Sequence, residues 1–308
     1  MNIIFMGTPD FAEESLRALV GAGYNVTAVF TKPDMPVGRK HILTPPEVKV
    51  AAEELGIKVY QPNSLKNDES YQILKELNPD LIVVVAYGKL LPKNILDLPK
   101  YGCINVHASL LPKYRGASPI QWSIVCGEEE TGVSTMLLDE GMDTGDILLS
   151  SAVKIGERET AEELWNRLMV LGGELLVKTV EGLENESIEP IPQNEAEATY
   201  APIIKKTDGM IDWSKSAFEI DCKIRGLHAW PVAYTKTDNK MLKIFSAEII
   251  NDVKEPFGKV LSGDKKLIVA CGEGALKITE LQLEGSKRMK TEDFLRGKKI
   301  TAEFLGVE

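Results

Sequence analysis

The chain has 308 residues, of which 44% are hydrophobic and 27% are charged, and its formal net charge is −10. This composition is typical of a soluble globular protein, and the length allows one large domain or two medium ones. The sequence contains no apolar run of membrane-spanning length and does not open on a signal peptide, so we expect a cytoplasmic protein that does not bind membranes.

The chain opens with a β-α-β unit. An apolar strand over residues 2–6 ends at Gly7, an amphipathic helix follows, and residues 26–30 form the next strand. This order predicts a parallel sheet of the Rossmann-like type, and therefore an α/β fold. Pro9 and Asp10 occupy the turn in which dinucleotide-binding proteins carry G-x-G-x-x-G, which disfavours a nicotinamide enzyme.

A long loop is predicted over residues 31–46, because its four prolines exclude a helix. Loops of this length in compact domains are usually functional or disordered. Lys32, Arg39 and Lys40 make this loop the basic projection of an otherwise acidic N-terminal part.

Helices and strands continue to alternate beyond this loop. The continuously apolar residues 81–86 predict a strand that is buried on both faces. The other predicted elements are helices over 47–55, 69–77 and 119–126, strands over 132–138 and 147–153, and an amphipathic helix over 160–183.

Two polar side chains in one short apolar strand are candidates for chemistry. Asn105 and His107 are two residues apart, so in a strand they project from the same face, at a strand end of the kind where open α/β sheets bind ligands. A second polar cluster, residues 139–146, follows another apolar run, and a carboxylate such as Asp143 could orient His107 there. Each residue also has a structural interpretation: Asn105 as a turn cap, His107 as a hydrogen-bonded core residue, Asp143 as a turn former.

Residues 184–197 are rich in glutamate, contain two prolines and lack apolar periodicity, which is typical of a linker. A helix is predicted beyond them over 216–225, followed by short strands over 242–247, 257–261, 267–270 and 275–283. Short strands separated by turns in about 100 residues predict a small OB-like β-barrel. We therefore predict a first domain over residues 1–189, a linker over 190–207 and a second domain over 208–308.

The charge is distributed unevenly along the chain. Residues 201–308 carry 19 Lys and Arg against 16 Asp and Glu, so the C-terminal third is locally basic on an acidic protein. Such an asymmetry marks either an interaction surface or a solvated face. Three cations of the run 287–299 are candidates for nucleic-acid binding: Lys287, Arg288 and Lys290.

The run NVHASLLPKYRGASPIQ at residues 105–121, with DTG at 143–145, resembles the 10-formyltetrahydrofolate-dependent formyltransferases. The resemblance extends to MGTPDF at residues 6–11 and HAWP at 228–231, and so covers essentially the whole chain. Within this family the sequence is most similar to enzymes that act on initiator methionyl-tRNA. The resemblance implies the same C-terminal barrel.

The resemblance also implies the reaction, which is transfer of the formyl group of 10-formyltetrahydrofolate to the α-amine of methionyl-initiator tRNA for translation initiation. Asn105 and a protonated His107 would donate to the formyl oxygen, and Asp143 would hold His107 and relay protons. We expect a monomer. We expect no metal, because no cluster of His, Cys and Asp has the spacing of zinc ligands. Arg39 matches the loop position that engages tRNA, with Lys40 beside it. The folate site would comprise Ser109, Leu110, Leu111, Pro112, Tyr87, Gly88, Leu90 and Asp139.

Two alternatives remain open from the sequence. The first is a formyltransferase acting on a small amine, such as glycinamide ribonucleotide or an amino sugar, although a small substrate does not explain the loop over residues 31–46. The second is a non-catalytic RNA-binding protein that retains the fold, although the intact set of Asn105, His107 and Asp143 argues against it.

Overall fold

The computed structural model describes residues 1–38 and 41–306. The chain divides into two compact units. Unit 1 comprises residues 1–116, 131–153 and 165–201, and unit 2 comprises residues 117–130, 154–164 and 202–308. Because these units are defined by contacts and not by independent folding, the domain limits predicted from the sequence remain a proposal.

The elements up to the end of the long helix are β1 (Asn2–Gly7), α1 (Asp10–Gly21), β2 (Asn25–Phe30), β3 (Met35–Val37), β4 (Ile42–Thr44), α2 (Glu47–Glu54), β5 (Lys58–Tyr60), α3 (Asp68–Leu77), β6 (Leu81–Val85), α4 (Lys93–Leu96), β7 (Cys103–His107), α5 (Pro119–Val125), β8 (Glu130–Leu137), β9 (Ile147–Lys154) and α6 (Ala161–Glu184). The sequence predicted most of them within a few residues; β3, β4, β5 and α4 were not predicted.

Unit 1 is built on a seven-stranded sheet with the order β5-β2-β1-β6-β7-β8-β9. The first five strands are parallel, whereas β8 runs antiparallel to β7. Strand β6 is buried at all five positions, as expected of a central parallel strand covered on both faces. The α/β fold with a parallel sheet is therefore confirmed.

The segment predicted as a loop over residues 31–46 contains a short antiparallel hairpin. Met35 pairs with Thr44 and Pro36 with Leu43, so β3 and β4 form a two-stranded sheet of their own. Proline is tolerated in such a strand because neither edge belongs to a larger sheet. Arg39 and Lys40, which separate the two strands in the sequence, lie outside the described residues.

The remaining elements are α7 (Ala217–Gly226), β10 (Ala233–Thr237), β11 (Lys240–Ile250), β12 (Val260–Ser262), β13 (Leu267–Ala270), β14 (Ala275–Leu283), β15 (Met289–Lys290) and α8 (Thr291–Gly297). Their strands form one sheet with the order β10-β11-β14-β13-β12, and β15 pairs with β14. All of these pairs are antiparallel, and irregular register in β11 against β14 increases the bend of the sheet. A curled antiparallel sheet agrees with the predicted OB-like domain, although β10, β15 and α8 were not predicted.

The core of unit 2 follows from strand alternation. Leu242 and Ile244 of β11 are fully buried, together with Leu276 of β14, on the face that α7 covers. Trp213 donates its indole N–H to Oγ1 of Thr235 at 3.0 Å inside this core. None of the described helices, including the 24-residue α6, combines the length and the apolarity needed to cross a membrane.

Candidate active site

His107 ends β7 and is almost completely buried, with 6% of its side chain exposed. Its Nε2 atom lies 2.9 Å from the carbonyl oxygen of Tyr114, and since a carbonyl only accepts, this nitrogen carries a proton. Its Nδ1 atom lies 3.6 Å from Oδ2 of Asp143. The ring is therefore held between a backbone acceptor and a carboxylate.

Asp143 reaches His107 by a route that the sequence did not indicate. In the antiparallel register, Ile104 pairs with Leu137 and His107 pairs with Ser134, so β8 ends beside the beginning of β7. The loop after β8 then returns to His107. This loop begins at the opposite end of β7 from His107, because β8 runs antiparallel to β7.

Two features fix the Asp143 carboxylate. The backbone N–H of Gly116 donates to Oδ2 of Asp143 at 2.8 Å. Asp143 itself adopts a left-handed backbone conformation with a φ of 55°. A positive φ costs a non-glycine residue about 1–2 kcal/mol, so the surrounding structure must enforce it.

Asn105 lies in β7 two residues before His107 and is half-buried. Within residues 1–38 and 41–306, its side-chain amide makes no hydrogen bond to the protein. A half-buried amide with free donors is suited to bind an oxygen of a ligand.

The predicted folate-binding residues lie in three loops. Leu138, which precedes Asp139, and Leu91 pack against the apolar cluster that contains Tyr87. Leu90 is exposed, with 74% of its surface accessible. Gly88 has a φ of 70°, and a Cβ there would lie 2.5 Å from Nζ of Lys32, so a side chain would crowd this loop.

Two of these residues, Tyr87 and Ser109, have polar side chains that are buried and closed to a ligand. Tyr87 is 1% exposed, and burial raises the pKa of its hydroxyl to about 12. Ser109 is fully buried and donates its hydroxyl to the carbonyl of Lys113 at 2.6 Å, while the backbone N–H of Leu111 donates to Ser134 at 3.1 Å. Leu110 and Pro112 are half-buried.

Asp139 uses its carboxylate to close its own loop. Its Oδ1 accepts from the backbone N–H of Gly141 at 2.9 Å and from the hydroxyl of Thr144 at 2.7 Å. A Cβ on Gly141 would lie 1.9 Å from the same hydroxyl, so this turn requires glycine. The loop therefore has a defined backbone next to Asp143.

Sequence reasoning missed a group of residues next to this site. Arg115 is 1% exposed, and its guanidinium contacts two side chains from the segment predicted as a linker. Its Nη1 and Nη2 donate to Glu195 at 2.9 and 2.7 Å, and its Nε and Nη2 donate to Oε1 of Gln193 at 3.1 and 2.9 Å. No periodicity or motif in residues 184–197 indicates these contacts.

The predicted nucleic-acid-binding residues of the C-terminal part lie in unit 2. Lys287 and Lys290 are exposed. Arg288 donates to both carboxylate oxygens of Glu280, at 2.8 and 2.7 Å, and its guanidinium lies 4.1 Å from the ring centre of Phe245. The hydrogen bond to Glu280 raises the pKa of Arg288. Across the described part of the chain, no group of three or more His, Cys, Asp or Glu is arranged to hold a metal.

Comparison with known proteins identifies the family to which the chain belongs. Residues 1–180 match the family described as formyl transferase, and residues 203–299 match the formyl transferase C-terminal domain. A protein of Caldanaerobacter subterraneus named methionyl-tRNA formyltransferase is 52% identical over 97% of this chain and 98% of its own. One of Citrifermentans bemidjiense with the same name is 50% identical over 97% and 94%.

Two solved structures share the fold. The N-formyltransferase from Helicobacter canadensis, in complex with folinic acid and dTDP-3-aminofucose, aligns with a TM-score of 0.69 at 20% identity, over 93% of this chain and 99% of its own. HypX from Aquifex aeolicus, in complex with tetrahydrofolic acid, aligns with a TM-score of 0.63 at 17% identity, over 95% and 46%. With both parts of the chain matched and relatives near 50% identity over almost its full length, the protein belongs to the formyl transferase family of enzymes.

Proposed function

We propose that this protein transfers the formyl group of 10-formyltetrahydrofolate to the α-amine of methionyl-initiator tRNA, as a monomer in the cytoplasm, where charged tRNA is used for translation initiation. The observation that carries this proposal is the identity near 50%, over at least 94% of both chains, to proteins named methionyl-tRNA formyltransferase. Full-length similarity at this level supports a shared acceptor as well as a shared reaction.

Formyl transfer is acyl transfer to an amine, so negative charge develops on the formyl oxygen while the amine loses a proton. In the proposed mechanism the free amide of Asn105 donates to that oxygen, and a doubly protonated His107 stabilises the same charge. Asp143, 3.6 Å from Nδ1 of His107, holds the ring and accepts the amine proton through water. The bond between the formyl carbon and N10 of the folate then breaks, N10 takes up a proton through the same water, and tetrahydrofolate leaves.

The proposed folate site uses the loops after β6, β7 and β8. In this proposal Tyr87 and Gly88 contribute backbone groups, and Leu110, Pro112, Leu90 and Asp139 provide partly accessible surface. Ser109 and Leu111 keep the loop after β7 in shape, because their backbone N–H groups donate to His107 and Ser134. Apolar walls with a few backbone hydrogen-bonding groups suit a pterin ring. The packing of Leu138, which precedes Asp139, against the apolar cluster that contains Tyr87 supports this assignment.

The proposed tRNA-binding residues are Arg39 and Lys40 of the N-terminal part and Lys287, Arg288 and Lys290 of unit 2. Lysine and arginine bind phosphate oxygens, and such contacts supply much of the affinity for nucleic acids. Lys287 and Lys290 have exposed side chains, whereas Nε and Nη2 of Arg288 already donate to Glu280.

A formylation assay with several acceptors tests the proposal. The purified protein is incubated with 10-formyltetrahydrofolate and methionyl-initiator tRNA, methionyl-elongator tRNA, glycinamide ribonucleotide or a nucleotide-linked amino sugar. We expect formylation of methionyl-initiator tRNA at a kcat/KM far above that of the other acceptors. Preferential formylation of a small amine would replace the proposed acceptor, and absence of transfer to any amine would support a non-catalytic role.

A further inference from the structure

The side chain of Gln193 joins the Arg115 guanidinium to the loop that carries Asp143. Its Oε1 accepts from Nε and Nη2 of Arg115 at 3.1 and 2.9 Å. Its Nε2 donates to the carbonyl oxygens of Asp143 and Gly145 at 2.9 and 2.7 Å. All four hydrogen-bonding positions of the amide are thus used, and the guanidinium fixes which end of the amide faces the loop.

The guanidinium itself is firmly placed. Arg115 is almost fully buried and is neutralised by Glu195, which raises the pKa of Arg115 through their hydrogen bonds. The backbone of Arg115 is also paired, because its N–H donates to Thr199 at 2.9 Å and its carbonyl accepts from Ala201 at 2.7 Å. Gln193 is therefore hydrogen-bonded to a residue whose side chain and backbone are both held in place.

The loop that Gln193 holds needs such a support. Asp143 has a φ of 55°, which is unfavourable for a residue with a side chain, and Gln193 bonds the carbonyls of that residue and of Gly145. A Cβ at Gly145 would lie 1.9 Å from the carbonyl oxygen of Leu137, so the loop packs closely there and a side chain does not fit. The bridge therefore sets the direction in which the Asp143 carboxylate points.

Arg115 is also linked to the Asp143 carboxylate through the backbone of the next residue. The next residue, Gly116, donates its backbone N–H to Oδ2 of Asp143, the same oxygen that lies 3.6 Å from Nδ1 of His107. Arg115 thus acts on Asp143 in two ways. It precedes Gly116, whose N–H holds the carboxylate, and through Gln193 it holds the backbone of Asp143.

We propose that Gln193 is a positioning residue of the formyl-transfer site, which holds the Asp143 carboxylate at His107 by bridging the Arg115 guanidinium to the carbonyls of Asp143 and Gly145. This inference rests on the proposed function, because it assumes that Asp143 acts in the reaction. It assigns a role to the segment between the two family-matched regions, residues 181–202, which the motifs do not cover.

The variant Gln193→Glu isolates the bridge. A glutamate keeps an acceptor for the Arg115 guanidinium, but it cannot donate to the two carbonyls of the loop. Misplacing a catalytic group by about 1 Å can cost on the order of 100-fold in rate, so we expect kcat to fall roughly 10- to 100-fold while the KM for 10-formyltetrahydrofolate changes less than about threefold. Gln193→Leu, which removes both halves of the bridge, should lose at least as much.

The control is Asn194→Ala in the same segment. Asn194 caps the short turn that follows, accepting from the N–H of Ala196 at 3.1 Å, and it makes no contact with Asp143 in the described residues. This variant should keep a kcat near that of the wild type. An equal loss in Asn194→Ala and Gln193→Glu would mean that the segment matters only for folding, and would overturn the proposal.

A double-mutant cycle with Asp143→Asn then decides whether Gln193 acts through Asp143. If it does, adding Gln193→Glu to Asp143→Asn should cost less than about threefold further, because effects of residues that act together are not additive. Losses that multiply, or a Gln193→Glu variant with the kcat of the wild type, would overturn the proposal. The cycle uses whichever amine the wild type formylates, so an unexpected acceptor would refute the proposed function without deciding the role of Gln193.

Discussion

The Nδ1 atom of His107 lies 3.6 Å from Oδ2 of Asp143, although one residue ends β7 and the other belongs to the loop that follows β8. The same carboxylate oxygen accepts the backbone N–H of Gly116 at 2.8 Å. A carboxylate held by the backbone does not need to reorganise when charge develops on the reacting groups, which is the condition for electrostatic catalysis.

The first prediction concerns Asn105 and His107. If Asn105 donates to the formyl oxygen and the charge of His107 stabilises it, Asn105→Ala and His107→Ala should each lower kcat by about 100-fold or more, because removing one oxyanion-stabilising group costs that much. Binding of a folate analogue should be retained. The measurements are steady-state formylation kinetics and analogue titration.

A matched control for this prediction is Asn25→Ala. Asn25 begins β2, is exposed, and donates only to the side chain of Asn2 among the described residues, at 3.0 Å. It should keep full activity. Near-normal kcat in well-folded Asn105→Ala and His107→Ala would refute the assignment of both residues.

The second prediction concerns stability against acid. Hydrogen bonds from Arg115 lower the pKa of Glu195 below its usual value of 4.5. A carboxyl whose pKa is lower in the folded state stabilises the protein above its unfolded pKa, and this contribution is lost as pH falls through the folded pKa. Glu195→Gln should therefore have a lower Tm than the wild type at pH 7, and the difference should shrink between about pH 5 and pH 3.

Thermal unfolding across this pH range tests the Glu195 prediction, with Glu197→Gln as the control. Glu197 is an exposed neighbour that accepts from Asn194 at 2.9 Å and does not contact Arg115 in the described structure. Its replacement should leave the pH dependence of Tm unchanged. A constant difference in Tm between Glu195→Gln and the wild type at all pH values would contradict the pairing.

The third prediction concerns the salt dependence of tRNA binding. If Lys287 and Lys290 contact phosphates, each change to Ala should weaken tRNA binding and reduce the slope of log K against log salt by about 1. Arg288→Ala should change the slope less, since Nε and Nη2 of Arg288 already donate to the Glu280 carboxylate. Filter binding at several salt concentrations measures the slope, and the exposed Lys254→Ala serves as the control. An unchanged slope in the Lys287 and Lys290 variants would mean that this face is only solvated.

The fourth prediction concerns Arg39, which lies outside the described residues. A basic loop that holds the 3′ end of a tRNA removes the entropy of bringing the methionyl amine to the formyl group. Arg39→Ala should therefore depress formylation of methionyl-tRNA and leave folate-analogue binding intact. Arg39→Lys should recover only part of the rate, because an ammonium cannot form the bidentate contact of a guanidinium. Wild-type formylation by Arg39→Ala would place acceptor binding elsewhere.

The sequence determined those features that depend on local pattern. The predicted strands over residues 267–270 and 275–283 coincide with β13 and β14, and the amphipathic helix over 160–183 agrees with α6 within one residue. Burial on one or both faces leaves a direct trace in the spacing of apolar residues, so these elements are visible without a structure. The family also followed from sequence, because its motif lies in one continuous run around His107.

Tertiary structure alone decided how distant segments meet. Whether β8 runs parallel or antiparallel to β7 depends on the connection between them and not on the composition of either strand, and this decided the route by which Asp143 reaches His107. The hydrogen bonds of Gln193 to Arg115 and to the Asp143 loop join polar residues far apart in the chain. Such pairings leave no periodicity in the sequence, so a glutamate-rich segment with the composition of a linker is bonded to the backbone of the Asp143 loop.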